Sequence, residues 1–407
     1  MRILHTSDWH IGRTFHGHST LEALRGVLEA LTDQVRAHDV DVVIVAGDVF
    51  DSATPAAACY ALLSDTLRGL AATGAEVIVT SGNHDSAARL GFQSGLLRSG
   101  IHVLTDPAAV GIPVTVRDAH GPVHVYGIPF LEPALVRHTW PDARSQAGAL
   151  GHAMGLVRAD LAAREASGER GRSVAIAHCF AAGVEPTPHL ERDIQQGGLD
   201  VVPLQALDGV DYAALGHIHG RQTLAPHIRY AGAPLHYSFG EGDKPRGSWL
   251  VELDAEGLGD VEWLPLPVPR RLRTLRGAFD ELLADPGLAD AEDAWVCVEY
   301  TDMLPQTDPL RRLQERFPFC AKVVHAPAVT AESDGRSYVQ RVRSARSDTE
   351  LLDAFLAHVR SGEGLTDRES DVWNDVRDER VRTGAGEGVG AAPAAAVVRG
   401  DAAGVGA

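Results

Sequence analysis

Nothing in this chain of 407 residues suits a membrane, an oxidising compartment or the passive coating of nucleic acid. No run of about 18 uncharged apolar residues occurs, so no membrane span is expected. Met1 to His10 already carry charge and strand-like patterning where a secretory leader would need an apolar core, and the expected location is the cytoplasm. Cysteine is scarce. Cys59, Cys179, Cys297 and Cys320 stand far apart with no CxxC pair, which argues against a disulfide framework or a thiolate zinc site and leaves them as buried thiols. Basic residues are outnumbered, 37 Lys plus Arg against 55 Asp plus Glu, for a formal charge of −18. Sequence-tolerant wrapping of nucleic acid draws its affinity from many cation–phosphate contacts, so this balance argues against it. A nucleic-acid enzyme stays open if its positive charge arrives as bound metal and locally concentrated arginine. No Walker-type phosphate loop is present, so the chain is not expected to hydrolyse ATP.

What the chain does have is the composition of ordinary globular domains, 44% hydrophobic and 23% charged, at a length that suggests two or three of them. From Met1 to about Pro267, short β-branched runs alternate with amphipathic stretches, the pattern of an α/β domain. Strands are expected at Arg2 to Thr6, Asp41 to Ala46, Glu76 to Ser81, His124 to Ile128, Ser173 to His178, Asp211 to Gly216, Arg229 to Ala231 and Ser248 to Leu253. Leu21, Leu24, Leu28, Leu31 and Val35 recur at helical spacing, so one face of that segment can cover a sheet. The PLPVP run at Pro265 to Pro269 reads as a linker. Beyond it, AFDELLAD, Trp295 to Tyr300, PLRRLQERF and Ala321 to Val324 suggest a small α/β module. The expected organisation is thus 1–268, a cap at 269–345, a helical segment at 346–380 and a tail at 381–407. Ser347 with Glu350 resembles a capping box ahead of an amphipathic helix marked by Leu351, Leu352, Phe355, Leu356 and Val359. A further short helix is expected around Trp373. Of the 24 residues from Gly384 to Ala407, 16 are Gly or Ala, too little apolar bulk to pack, so disorder is expected there.

Five short segments place metal-ligand residue types just beyond strand ends, where open α/β sheets generally bind ligands. They are SDWH with Asp8 and His10, AGDVFD with Asp48, SGNHD with Asn83 and His84, AIAHC with His178, and ALGHIH with His217 and His219. Singly, each has a bland reading: a solvated DxH loop, an Asp that caps or turns, a histidine satisfied inside the core. Jointly they supply three oxygen-type ligands and four imidazoles, a mixture suited to manganese, iron or zinc rather than calcium. Asp48 is placed to bridge two ions. His84 adds a side chain of the type that moves protons near neutrality.

The order DxH, GD, GNHD, H, GHxH resembles the calcineurin-like metallophosphoesterase superfamily. The opening MRILHTSDWHIGR, VVIVAGDVFD, LERDIQQGGLDVVP and RYAGAPLHYSFGE are similar to the bacterial SbcD family within it. That resemblance implies a metallophosphoesterase β-sandwich flanked by helices, a smaller α/β capping domain and C-terminal helices. The same resemblance implies two manganese ions, one held by Asp8, His10, Asp48 and His219 and the other by Asp48, Asn83, His178 and His217. His84 corresponds to the family's catalytic histidine. Three residues after Asp48, where some relatives carry a second functional histidine, stands Asp51, which is assigned no proton transfer. The implied substrates are DNA ends and hairpins, and the implied partner is a separate coiled-coil ATPase, SbcC, in a heterotetramer built on a homodimer. Arg270, Arg271, Arg273 and Arg276, with Arg336, Arg341, Arg343 and Arg346, are candidate phosphate contacts. Leu352, Phe355, Val359 and Trp373 are the candidate docking face for the ATPase. Two other readings stay open: a phosphoesterase of small molecules or phosphoproteins, and a noncatalytic DNA-end scaffold.

Overall fold

The structure is a computed structural model that describes residues 1–183, 201–327, 338–360 and 364–382. Most of LERDIQQGGLDVVP, Arg336 and the Gly/Ala-rich tail lie outside the described residues. The chain divides into two compact units. One comprises Met1–Leu275, Asp285–Val298 and Pro309–Val323, and the other Arg276–Ala284, Glu299–Asp308 and the residues from Val324 onward.

In the first unit, continuous apolar runs dictate strands with both faces covered. Alternate side chains of a strand point to opposite faces, and the VVIVA strand Val42–Ala46 shows it. Val42, Ile44 and Ala46 enter one apolar cluster with Val174, Ile176, Tyr212 and Ala214. Val43 and Val45 enter another with Leu24, Leu28 and Leu31. The first cluster is the interior between two six-stranded sheets. One sheet runs Leu258–Pro265, Gly247–Leu253, Arg2–Thr6, Val42–Ala46, Glu76–Thr80, Ile101–Leu104. The other runs Gln222–Ala225, Ile228–Tyr230, Tyr212–Gly216, Arg172–His178, Gly121–Gly127, Val114–Asp118. Helices Leu21–Ala37 and Ala57–Ala71 contribute to the outer core of the first sheet. Helix Gln146–Ser167 buries Ala149, Leu150, Ala153, Met154 and Val157 in that of the second. The result is a sandwich with helices outside, the expected α/β class.

At the centre of the first sheet Arg2–Thr6, Val42–Ala46 and Glu76–Thr80 are parallel neighbours, as are Arg172–His178 and Tyr212–Gly216 in the second. Parallel neighbours release their C-terminal ends on one side of a sheet. Cross-sheet bonds tie the layers together. His5 Nε2 donates to Leu215 O at 3.1 Å while His5 Nδ1 accepts from the Tyr212 hydroxyl at 3.0 Å. That pairing demands a neutral ring, and burial pushes the His5 imidazole down to about 3.

Strands Leu272–Gly277, Trp295–Tyr300 and Cys320–His325 make a three-stranded sheet, and helices Phe279–Ala284 and Pro309–Gln314 lie near the expected places. Ser347 caps helix Asp348–Val359, its hydroxyl accepting from Glu350 N at 3.2 Å. The return bond of the expected box lands one residue early, the Glu350 carboxylate accepting from Arg346 N at 2.5 Å. This helix buries Ala354 and Ala357 and leaves Leu351, Phe355 and Val359 exposed, with Leu352 half-buried. Trp373, on helix Asp367–Arg382, donates from its indole to Thr349 Oγ1 at 3.1 Å, so it packs back on the preceding helix. All four cysteines are buried and free. Among the described residues, no helix is long and apolar enough to cross a membrane.

Candidate metal centre

Each expected ligand leaves the end of one of the parallel strands. Asp8 and His10 follow Arg2–Thr6, Asp48 follows Val42–Ala46, and Asn83 and His84 follow Glu76–Thr80. His178 ends its own strand, and His217 and His219 follow Tyr212–Gly216. The turns that deliver them are strained. Asp8, His10, Asp48 and His217 all have positive φ, at 54°, 45°, 48° and 106°, a conformation that costs most residues free energy and persists where the surroundings over-determine it. Close packing forces glycine beside them. A Cβ on Gly82 would overlap Asp48 Oδ1, and one on Gly47 would overlap His178 Nδ1.

The side chains converge. Donor atoms of Asp8, His10 and His219 lie within 4.8 Å of one another, as do those of Asp48, His178 and His217, and those of His10, Asp48 and His84. Asp48 Oδ2 stands 3.6 Å from His10 Nε2 and 3.3 Å from His178 Nε2, between the two halves. Asn83 Oδ1 is 3.0 Å from both His178 Nε2 and His217 Nδ1. Asp8, His10, Asp48 and His178 are buried, whereas His84 and His217 are half-buried and Asn83 is exposed, so the cage opens to solvent on that side. All seven expected ligands and His84 therefore meet at one place.

The donor set fits divalent cations. Two buried carboxylates face imidazoles rather than arginine or lysine side chains. His10 Nε2 and His219 Nε2 face each other at 3.0 Å, an encounter of two lone pairs that one proton at most can relieve. Burial pushes the Asp48 carboxyl up, but the His178, His10 and His84 imidazoles hold it well below the usual carboxylate range. Burial opposes a charge on His178, yet the Asp48 carboxylate prevails and raises it. Burial and His178 push His217 down to about 3, and burial lowers His10. This balance couples a charged His178 to the Asp48 carboxylate and favours neutral rings at His10 and His217, the form in which imidazoles bind metal.

Supporting groups orient the rings. His178 Nδ1 donates to Ala46 O at 3.0 Å, and His84 Nδ1 donates to Asp51 O at 3.0 Å, so both present Nε2 to the cage. His84 N also donates to Asp48 Oδ1 at 2.9 Å. Several supports escaped the sequence reading. Glu241, fully buried, stands 3.4 Å behind His219 Nδ1 and is paired with Arg246 at 2.8 Å. Asp85 accepts from Val49 N, Phe50 N and Gly82 N, stapling two ligand loops, and burial with Asp48 nearby raises its carboxyl to about 6. Asp51, assigned no proton transfer, lies 3.4 Å from His10 Nδ1 and accepts from Arg13 at 3.0 Å. The FGE that holds Glu241 was the available signal, since it closes the RYAGAPLHYSFGE run; partners in space have no spacing to read.

The expected phosphate contacts are placed unevenly. Arg270 stacks over the Phe319 ring at 3.3 Å and donates to Asp293 O at 2.7 Å. Arg271 is exposed, Arg273 pairs with Asp290, and Arg276 lies 3.9 Å from Glu299. Arg343 and Arg346 are exposed and Arg341 is half-buried.

Residues 1–221 match the family model described as Calcineurin-like phosphoesterase, more than half of the chain. The chain belongs to that family and is a metal-dependent phosphoesterase. Residues 268–360 match the SbcD C-terminal domain model, described as Type 5 capsule protein repressor C-terminal domain. The two matches in this order agree with the resemblance to SbcD-type nuclease subunits. Among solved structures, TT1561 of Thermus thermophilus is similar at 13% identity, covering 64% of this chain and 98% of that chain, with a TM-score of 0.35. A dimetal phosphatase from Danio rerio is similar at 13% identity, 65% and 98% coverage, and a TM-score of 0.37.

Proposed function

We propose that this phosphoesterase is an SbcD-type DNA nuclease subunit acting in the cytoplasm. It would hydrolyse phosphodiesters at double-strand ends, in single strands and at hairpins, with two manganese ions. The observation that carries the chemistry is the meeting of seven donor residues, Asp48 among them, with His84 at the open side. Asp8, His10, Asp48 and His219 would hold one ion, and Asp48, Asn83, His178 and His217 the other. When bound, such a pair neutralises phosphate charge and makes water nucleophilic near neutral pH. Glu241 keeps His219 Nε2 turned inward, and the cross-sheet bond to Ala46 O does the same for His178. His84 has its Nδ1 proton committed to Asp51 O, so the imidazolium form would give its Nε2 proton to the departing alkoxide and be left as the neutral Nδ1–H tautomer. A positioned general acid of this kind typically contributes about 10² to 10⁴ in rate.

The C-terminal match supports SbcC as partner. Leu352, Phe355, Val359 and Trp373 would dock in a groove of that ATPase, Phe355 and Val359 from an exposed face and Trp373 held by its bond to Thr349. Exposed Phe92, Leu96 and Leu97, apolar and close in sequence, suit a homodimer contact. Arg270, Arg271, Arg273 and Arg276 would meet DNA phosphates, with Arg271 the most available. The deciding experiment is manganese-dependent digestion of blunt duplex, hairpin and single-stranded DNA, with and without SbcC and ATP, beside a generic phosphomonoester. DNA cleavage is expected; hydrolysis confined to the monoester would overturn the reading.

A further inference from the structure

Four residues after His10 the chain forms a small hairpin, Thr14–Phe15 paired with His18–Ser19, in which Phe15 lies opposite His18. Its two-residue loop is His16–Gly17, with φ of 48° and 86°. Loops of this kind favour Asn-Gly, because both residues must take positive φ. Histidine there is strained, and His16 is exposed, as is His18. Backbone preference does not account for an imidazole at this tip, and although one side of the His16 ring rests on Phe15 and Phe239, the residue stays exposed to solvent.

The surroundings indicate a role. Phe15 is buried and anchors the hairpin, its ring 4.8 Å from His16, 5.2 Å from Phe239 and 5.3 Å from Trp295. His16 lies 5.3 Å from Phe239, His18 lies 4.8 Å from Trp295, and Trp295 lies 5.6 Å from Phe319. In a chain with only 6% aromatics, these rings form a continuous half-exposed row. Cations flank it: Arg270 sits over Phe319 and Trp295, and exposed Lys322 is close enough to His16 to influence its ring. Partial burial, and then Lys322, hold the His16 imidazole below the usual range, which favours an uncharged ring. Rings interleaved with cations are the pattern that stacks bases while phosphates meet positive charge. The row is also tethered to the metal centre. Arg13 N donates to His10 O at 2.9 Å, Thr20 Oγ1 donates to Arg13 O at 2.7 Å, and the Arg13 side chain bonds Asp51.

We infer that the His16–His18 hairpin is a stacking platform that receives an unpaired DNA base beside the metal centre, an inference that rests on the nuclease reading. The test measures fluorescence anisotropy with the full chain in chelator, so that nothing is cut. The probes are a labelled single-stranded oligothymidylate and an abasic strand of equal length. The double variant His16→Asn, His18→Ser should bind the base-bearing strand about tenfold more weakly and the abasic strand as before. It should melt no lower than the wild type, because Asn relaxes the turn. His18→Phe, which keeps a ring, should retain wild-type affinity. Equal binding of the base-bearing strand by the wild type and the double variant would overturn the platform and leave the nuclease reading standing. So would a wild type that does not distinguish the two strands. A wild type that binds neither strand and cuts no DNA when manganese is restored would instead overturn the nuclease reading, and the platform with it.

Discussion

The two sheets of the sandwich bring different chemistry to the same place. From the first come Asp8, His10, Asp48, Asn83 and His84, so every oxygen donor and the proposed proton donor stand on it. The second supplies only imidazoles, His178, His217 and His219. Neither sheet holds the whole proposed ligand set, and the halves meet through bonds that cross between layers. His178 Nδ1 donates to Ala46 O, and His217 N donates to Asp8 Oδ1 at 2.9 Å. The site is therefore a property of the closed sandwich, which sets a hierarchy among substitutions.

Removing the shared carboxylate should do most. Asp48→Asn is expected to lose bound manganese at both positions by elemental analysis, and to lose more turnover than any other single change. His84→Ala should keep the metals yet lose about 10² to 10⁴ in kcat on DNA; full activity would remove His84 from the chemistry. Glu241→Gln should weaken manganese binding about 10- to 100-fold, and only at the position His219 would serve. Calorimetric titration would read this as one weakened step beside one unchanged step.

Acid should loosen the layers through His5. Its folded pKa lies near 3, below the unfolded value of about 6.5, so the unfolded chain binds the extra proton. Its contribution to stability is present above about pH 6.5 and lost as pH falls toward 3, at no more than about 1.4 kcal/mol per pH unit. Urea titrations across that range should show a shallower slope for His5→Gln. Smallest of all should be Phe355→Glu, far from both sheets in sequence and exposed. Its unfolding free energy should stay within about 0.5 kcal/mol of the wild type, while co-purification with SbcC is lost; retained binding would remove the docking face.

The strands that carry the proposed ligands were legible because they are buried on both faces, and burial on both faces requires apolar runs such as VVIVA. Their ends were legible because Asp, Asn and His break those runs. Helix Gln146–Ser167 was not, since it packs through Ala149, Ala153 and Met154, and small side chains leave little periodic contrast against alanines on the other face. The edge strand Val114–Asp118, only partly covered, was missed for lack of an apolar run. Glu241 and Arg246 could not be assigned to His219 from the sequence, because a buried ion pair behind a ligand leaves no local pattern. On the C-terminal helix the stripe was visible but its packing was not: Ala354 and Ala357 are buried, and Phe355 and Val359 are left outside.

The most direct measurement is an anomalous-scattering map of crystals soaked in manganese. Two peaks flanking the Asp48 carboxylate are predicted, one against His10 and His219 and the other against His178 and His217. No peak within reach of Asp48, or a single ion bound by residues of one sheet alone, would contradict a centre assembled from both.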